Sequence, residues 1–135
     1  MATTTATITL ASSDMMDNSI SIANTATLTT AGTETGLTET TGLARRKFAS
    51  TSKVDLVTIA NTDVPQDKAT KIFIRNTNAR ASDKYVLILI NSQEIGRLYG
   101  GDWMFIPLVG ASGEDVEIDP SDGTETIIEY MVFFE

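Results

Sequence analysis

The chain has no cysteine and no histidine among its 135 residues. It therefore lacks a thiol nucleophile, an imidazole base and the commonest protein ligands for transition metals. It also cannot form a disulfide, although a single domain of this length can bury an adequate core without one. These absences remove the central residue of most familiar enzyme mechanisms.

Motifs for catalysis and nucleotide binding are absent as well. There is no Gly-x-Ser-x-Gly elbow, phosphate loop or dinucleotide fingerprint, and Gly96 and the Gly100-Gly101 pair are better assigned to hairpin turns. A glycosidase needs two carboxylates placed in a cleft, which so acidic a sequence does not exclude. Aromatic platforms for a sugar are sparse, however, with one Trp and three Tyr, and the apolar run around Trp103 indicates core. We predict a protein that is not an enzyme and takes no cofactor.

Long apolar runs are missing too. No stretch approaches the roughly 18 consecutive apolar residues of a membrane span, so we expect no membrane partner. The opening Met-Ala-Thr-Thr-Thr has neither the positive start nor the apolar run of a secretory signal. We expect synthesis in a cytoplasm without an export route.

Positive charge is scarce and unevenly placed. The formal net charge of −8 argues against a nucleic-acid partner, because such binding depends on neutralising phosphates with Lys and Arg. Residues 45–97 hold ten bases against five acids, whereas residues 98–135 hold nine acids and no base. Such blocks are suited to complementary surfaces on neighbouring copies; solvated loops that happen to cluster are the alternative.

The first 44 residues contain no aromatic and no basic side chain. Their apolar residues alternate with Thr, Ser or Asn, which is the period of a strand: Ile8 and Leu10, Ile20 and Ile22, Ala26 and Leu28. These side chains are few and small, so the segment would bury little surface alone. We predict an extended N-terminal arm, residues 1–44, that docks on its own domain or a neighbour; a disordered tail is the alternative.

A basic triplet follows a connection rich in Gly and Thr. Arg45, Arg46 and Lys47 are candidate partner contacts, because three adjacent cations could grip an acidic neighbour. A solvated basic turn is the alternative explanation.

Residues 45–135 carry the pattern of an all-β domain. Short runs rich in β-formers are separated by Asn, Asp, Gly, Ser and Pro, at 54–60, 71–76, 84–90, 93–98, 103–108, 114–119 and 126–134. Seven such strands predict an antiparallel sandwich or barrel. The unbroken apolar run 85–90 predicts a central strand covered on both faces. Turns at Asn91-Ser92 and at 99–102 predict that strands 84–90, 93–98 and 103–108 form an antiparallel meander.

The last strand carries apolar groups on both faces. One row, with Thr126, Ile128, Tyr130, Val132 and Phe134, has the composition of core. The other row mixes the acids Glu125, Glu129 and Glu135 with Ile127, Met131 and Phe133. That mixture is typical of a subunit interface, so we take Ile127, Met131 and Phe133 as candidate partner contacts and expect self-association or docking to an assembly.

Three carboxylates alternate with apolar residues at Asp115, Glu117 and Asp119. A strand would place them in a row on its solvent face, and Ca²⁺ takes six to eight oxygen ligands. The spacing of a calcium loop is absent, and residues 119–123 are readily explained as a turn. We therefore predict no metal site.

Four segments together resemble small virion proteins of tailed bacteriophages, particularly cyanophage-like ones. They are EIGRLYGGDWMFIPL at 94–108, KIFIRNT at 71–77, IEYMVF at 128–133 and TGLARRK at 41–47, after a Thr-rich opening. The nearest type is a capsid decoration, or cement, protein. The likeness covers most of the chain, and its motifs are structural, with no catalytic signature among them.

The resemblance implies a jelly-roll-like β-sandwich with an extended arm. It further implies a virion protein, located on the capsid surface, that binds the lattice of the major capsid protein and forms homo-oligomers. Two other readings stay open: a tail, neck or fibre component that binds a host receptor or glycan, and a small carbohydrate-binding or adhesive β-module from a bacterium.

Overall fold

A computed structural model describes residues 5–12, 20–27, 39–59, 70–81, 84–109, 111, 113–123 and 125–134. These residues form eleven strands and no helix, which confirms the all-β prediction. The strands are β1 Thr5–Ser12, β2 Ile20–Thr27, β3 Glu39–Thr40, β4 Ala44–Phe48, β5 Val54–Val57, β6 Thr70–Asn76, β7 Tyr85–Ile90, β8 Gln93–Tyr99, β9 Trp103–Leu108, β10 Val116–Pro120 and β11 Thr126–Phe134.

The chain divides into two compact units, Met1–Thr38 and Glu39–Glu135. Residues 39–44, which the composition grouped with the arm, therefore belong to the second unit. The reason is backbone pairing: β3 and β4 both lie antiparallel along β11. Between them Thr41 donates its backbone N–H to the carbonyl of Val132 at 3.0 Å, and Gly42 takes a positive φ of 76°. The pairing shifts there by one residue, as at a bulge.

The first unit contains a β-hairpin. β1 and β2 are antiparallel, with Thr5 opposite Thr27 and Ser12 opposite Ile20, so the strand predictions around Ile8 and Ile20 are confirmed. Leu10 lies opposite Ile22, and both are about half exposed, at 57% and 48%. Leu28 lies outside the described residues. Docking of the arm stays a prediction.

The second unit is an antiparallel β-sandwich. One sheet has the order β5-β10-β7-β8; the other has the order β11-β6-β9, with β3 and β4 along the remaining edge of β11. The seven predicted strands correspond to β5–β11. The core lies between the sheets, and its fully buried side chains come from both: Ile72, Ile74, Ile128 and Val132 from one, and Val86, Ile88, Val116 and Ile118 from the other.

Two strand predictions are confirmed in detail. β7 is a central strand between β10 and β8, with Leu89 buried on the face opposite Val86 and Ile88. In β11 the row predicted to be core is buried or packed against the core, including Ile128, Val132 and Phe134.

The turn between β7 and β8 is a tight hairpin, as predicted. Asn91 and Ser92 both have positive φ, 47° and 61°, as a type I′ turn requires. The predicted meander is wrong at its third strand, because β9 pairs with β6 of the opposite sheet and not with β8.

Hydrogen bonds at the corner between β8 and β9 explain why β9 joins the other sheet. Asp102 donates its N–H to the carbonyl of Tyr99 at 2.9 Å, closing the turn. Gly101 donates to the carbonyl of Asn76 at 2.8 Å, and Asn76 donates to the carbonyl of Asp102 at 3.0 Å. These contacts lead the chain from the end of β8 to the end of β6, where β9 begins its pairing.

Candidate interaction surface

The candidate site is the outward side of the sheet formed by β4, β11, β6 and β9, called the outer face below. Directly opposed residues of an antiparallel pair point to the same side. One row across the sheet is therefore Arg45, Glu129, Arg75 and Trp103, and the next is Met131, Phe73 and Phe105. A third row contains Phe133, Lys71 and Pro107.

The outer face is rich in aromatic side chains. The rings of Phe73 and Trp103 lie 6.3 Å apart with 34° between their planes, and those of Phe105 and Phe133 lie 6.0 Å apart, edge to face. The three phenylalanines are half-buried, and Trp103 is 52% exposed. The face is thus apolar at its centre while still accessible.

The prediction that Trp103 is a core residue is wrong. Along β9 the side chains of Met104, Ile106 and Leu108 pack against the core. Trp103 and Phe105 alternate with them and consequently point outward. Because β9 is apolar on both faces, its composition alone did not show which row is buried.

Cations flank the aromatic centre, and two of them are paired with acids. Arg45 donates from Nε to Oε1 of Glu129 at 3.1 Å and also from Nη2 to the same oxygen. The Glu129 side chain is only 11% exposed. Lys47 forms an ion pair with Glu125.

The structure brings together five of the six residues predicted as partner contacts. Arg45, Lys47, Ile127, Met131 and Phe133 lie on the outer face, since they belong to directly opposed rows or to the outward row of β11. Whether any of them contacts a partner stays a prediction.

Arg46 is the exception, because it lies opposite the core residue Ile128. Its Nη1 donates to the carbonyl of Asp55 at 2.8 Å, and its guanidinium lies 5.1 Å from the ring centre of Phe48. Arg46 therefore links β4 to the neighbouring edge strand β5 of the other sheet, which is a structural role.

Sequence reasoning missed the contribution of β6 and β9 to this surface. The signal was available in KIFIR at 71–75, where Lys71, Phe73 and Arg75 alternate with isoleucines that enter the core. Like the outward row of β11, this row of β6 mixes charged with large apolar side chains.

A shallow groove of about 440 Å³ opens at one end of the outer face. Phe73, Arg75, Gly101 and Trp103 line it. Arg75 is exposed, and no ion pair or hydrogen bond of its side chain is found among the described residues. The groove therefore combines aromatic walls with an available guanidinium.

The carboxylate row predicted on the solvent face is only partly exposed, because Glu117 and Asp119 lie on the outward side of β10 but Glu117 is buried. Glu117 is 7% exposed, and it forms an ion pair with Lys53 and accepts the N–H of Ser92 at 2.7 Å. Asp115 precedes β10 and accepts the N–H of Ile59 at 2.8 Å. Both acids therefore accept hydrogen bonds from backbone N–H groups of the sandwich. Within the described ranges, no three His, Cys, Asp or Glu side chains are grouped as a metal site would need.

The bonds to Glu117 also change its acidity. The hydrogen bond from Lys53 lowers its pKa below the usual value, burial opposes this shift, and the Ser92 N–H adds to the lowering. Lys53 therefore helps to keep Glu117 ionised although it is buried.

Comparisons of the chain with protein families, curated proteins and solved structures find no match. Among the residues that the structure describes, no helix is long and apolar enough to cross a membrane.

Proposed function

We propose that the protein is a non-enzymatic virion structural protein that binds and stabilises the outer capsid shell of a tailed phage, with the outer face as its contact surface. The observation that carries the proposal is the accessible cluster of Phe73, Trp103, Phe105, Met131 and Phe133, flanked by cations. Apolar patches with a polar rim mark protein interaction sites, and aromatic and Arg residues are enriched in them. The resemblance of the sequence to capsid cement proteins supplies the partner, the lattice of the major capsid protein.

The strand order supports a virion role at the level of the fold. From β4 to β11 the chain forms two four-stranded sheets with the orders β4-β11-β6-β9 and β5-β10-β7-β8. We infer that this is the jelly-roll order, in which the chain passes repeatedly between two sheets. Jelly rolls occur in viral capsid proteins and also in lectins.

The mechanism is passive. A protein that binds only the assembled shell shifts the equilibrium towards assembly, as any ligand of a native state does. Homo-oligomers would add effective concentration at the lattice, and the β1–β2 hairpin of the arm could extend a neighbour's sheet.

Capsid binding of matched variants tests the proposal. Phe105→Ser removes an aromatic ring from the centre of the outer face, and we expect at least about a tenfold loss of occupancy on isolated shells, as for a central anchor of an interface. Leu87→Ser is the control, because Leu87 is also half-buried but lies outward on the other sheet. Equal occupancy of wild type and Phe105→Ser, measured by co-sedimentation with shells, would contradict the proposal.

A second candidate is a tail, neck or fibre component that binds a host glycan. It is favoured by the exposed indole of Trp103 beside a shallow groove, since an exposed ring is a common platform for a sugar. Binding to host cells, lost on Trp103→Ala while shell binding is absent, would select this candidate.

A further inference from the structure

Charge does not balance along one row of the outer face. Arg45, Glu129 and Arg75 occupy opposed positions on three adjacent strands, so one carboxylate lies between two guanidinium groups. Glu129 is bonded twice by Arg45 through Oε1. Arg75 has no carboxylate partner among the described residues, and a planar guanidinium is shaped to bind a carboxylate through two parallel hydrogen bonds.

The Arg75 guanidinium, which has no acid partner in the described ranges, stands at a groove with apolar walls. Phe73 and Trp103 form two of its sides, and Gly101 contributes no side chain at its end. A side chain added at Gly101 would meet open space, so this end of the groove is unobstructed. A carboxylate at Arg75 would therefore lie against two aromatic rings, where its bonds to Arg75 are less exposed to water than on an open surface.

We propose that this groove binds an Asp or Glu side chain of an acidic, partly apolar protein segment, so that Arg75 is the specificity-determining residue of the outer face. The inference rests on the proposed function, for which it names the chemistry of the partner. Beyond the groove the same face continues through Phe105, Phe133 and Met131, and apolar neighbours of the bound acid would pack there.

A protein segment fits this surface better than an acidic saccharide does. Among the residues that the structure describes, Arg75 is the charged side chain that lines the groove, and the others are Phe73, Trp103 and Gly101. A sugar stacked on these rings through its C–H face would need polar partners for its hydroxyls, and among the described lining residues only Arg75 offers a polar side chain. Apolar side chains placed against the rings would be stabilised by losing contact with water.

The experiment uses the single tryptophan of the chain as its reporter. Trp103 lines the groove, so its emission should shift to shorter wavelength when a ligand covers the indole. The probes are the capped peptide acetyl-Leu-Glu-Leu-amide, its Gln counterpart and sodium glucuronate. We expect a saturable shift with the Glu peptide and binding at least about tenfold weaker with the Gln peptide, as for loss of a charge-assisted bidentate pair.

Variants of Arg75 assign the effect to the proposed residue. Arg75→Gln should weaken binding of the Glu peptide to the level of the Gln peptide, and Arg75→Lys should restore only part of it, because Lys lacks the planar fork. Arg97→Gln is the matched control, since Arg97 is exposed on the other sheet over the ring of Tyr85. Equal response to both peptides, or no effect of Arg75→Gln, would overturn the proposal, and tighter binding of glucuronate than of the Glu peptide would overturn the choice of a protein segment.

Shell binding separates this inference from the proposed function. If wild type and Arg75→Gln bind isolated shells equally well, the capsid role stands and the acid-binding groove is wrong. If wild type does not bind shells but its tryptophan responds to the Glu peptide through Arg75, the groove stands and the capsid role is wrong.

Discussion

Glu117 is a charged side chain that is almost fully buried. Its carboxylate is buried on the outward side of β10, between an ammonium group from Lys53 and a backbone N–H from Ser92 at the β7–β8 turn. A buried charge persists only when it is paired and hydrogen-bonded. Glu117 thus joins the segment before β5 to the β7–β8 hairpin.

We expect Glu117→Gln to lower the free energy of unfolding at pH 7 by about 1–3 kcal/mol, the usual cost of losing hydrogen bonds to a buried charged group. The effect should depend on pH. The pKa of Glu117 is lowered from 4.5 by the Lys53 hydrogen bond, against burial and with help from Ser92. The folded protein therefore binds fewer protons than the unfolded chain below about pH 4.5, and the stabilisation is lost as pH falls through the folded pKa.

Urea unfolding midpoints between pH 7 and pH 3 check this expectation. The difference between wild type and Glu117→Gln should be full above about pH 4.5 and shrink below it. Glu94→Gln is the control, because Glu94 is exposed on β8 and its replacement should leave the midpoint at pH 7 nearly unchanged. A difference for Glu117→Gln that stays constant down to pH 3 would show that the carboxylate does not act through its charge.

At the scale of elements, the corner between β8 and β9 decides which sheet β9 joins. Gly100 is buried there, and a Cβ at this position would lie 2.3 Å from the carbonyl oxygen of Ala79 and 2.6 Å from that of Asn78. Backbone atoms cannot yield as a flexible side chain can. The corner therefore requires glycine for the close approach of two backbone segments.

We expect Gly100→Ala to lower the free energy of unfolding by about 1–3 kcal/mol or more, as overpacking does. Gly96→Ala is the matched control, because a Cβ at Gly96 in β8 meets nothing within 4 Å and alanine is favoured over glycine inside a strand. Chemical denaturation of both variants measures the difference. Equal midpoints for the two would mean that the corner can shift without cost.

This corner also marks the limit of what the sequence predicts. Short runs of β-formers bounded by turn residues identified every strand from β5 to β11, since both are local signals. Whether a tight turn keeps a strand in its sheet or passes it to the opposite one depends on contacts with distant residues, here Asn76. The meander was therefore wrong although the strands and the turn were placed correctly.

The difference between local sequence signals and contacts with distant residues applies to the candidate site as well. β11 showed its outward row, with Ile127, Met131 and Phe133, because acids alternate with apolar residues there. β9 is apolar in both rows, so the outward position of Trp103 could not be read from composition. Arg75 was predictable from alternation in β6, but the bonding of Arg45 to Glu129, the acid opposite Arg75, involves a third strand and was not predictable.

At the scale of the whole molecule, the core of the sandwich draws on residues from Phe48 to Phe134. β4 closes one edge of the outer-face sheet and contributes Phe48 to the core. Its Arg46 also donates across the edge to the carbonyl of Asp55 on the other sheet. The boundary between the two units, after Thr38, lies before all of these contacts.

Two truncations on either side of β4 test this division of the chain. Removal of residues 1–38 should leave a cooperatively folding sandwich, because every residue of the core cluster is retained. Removal of residues 1–48 deletes β3, β4 and Phe48 and breaks the Arg45–Glu129 pair. It also exposes core on the edge of β11, and the loss of the buried Phe48 side chain alone costs about 3–5 kcal/mol. Since a domain of this size has a total stability of about 5–15 kcal/mol, we expect the longer truncation to be largely unfolded.

Circular dichroism and urea titration distinguish the two truncations. A folded product lacking residues 1–48 would show that β4 is an accessory strand and not part of the sandwich.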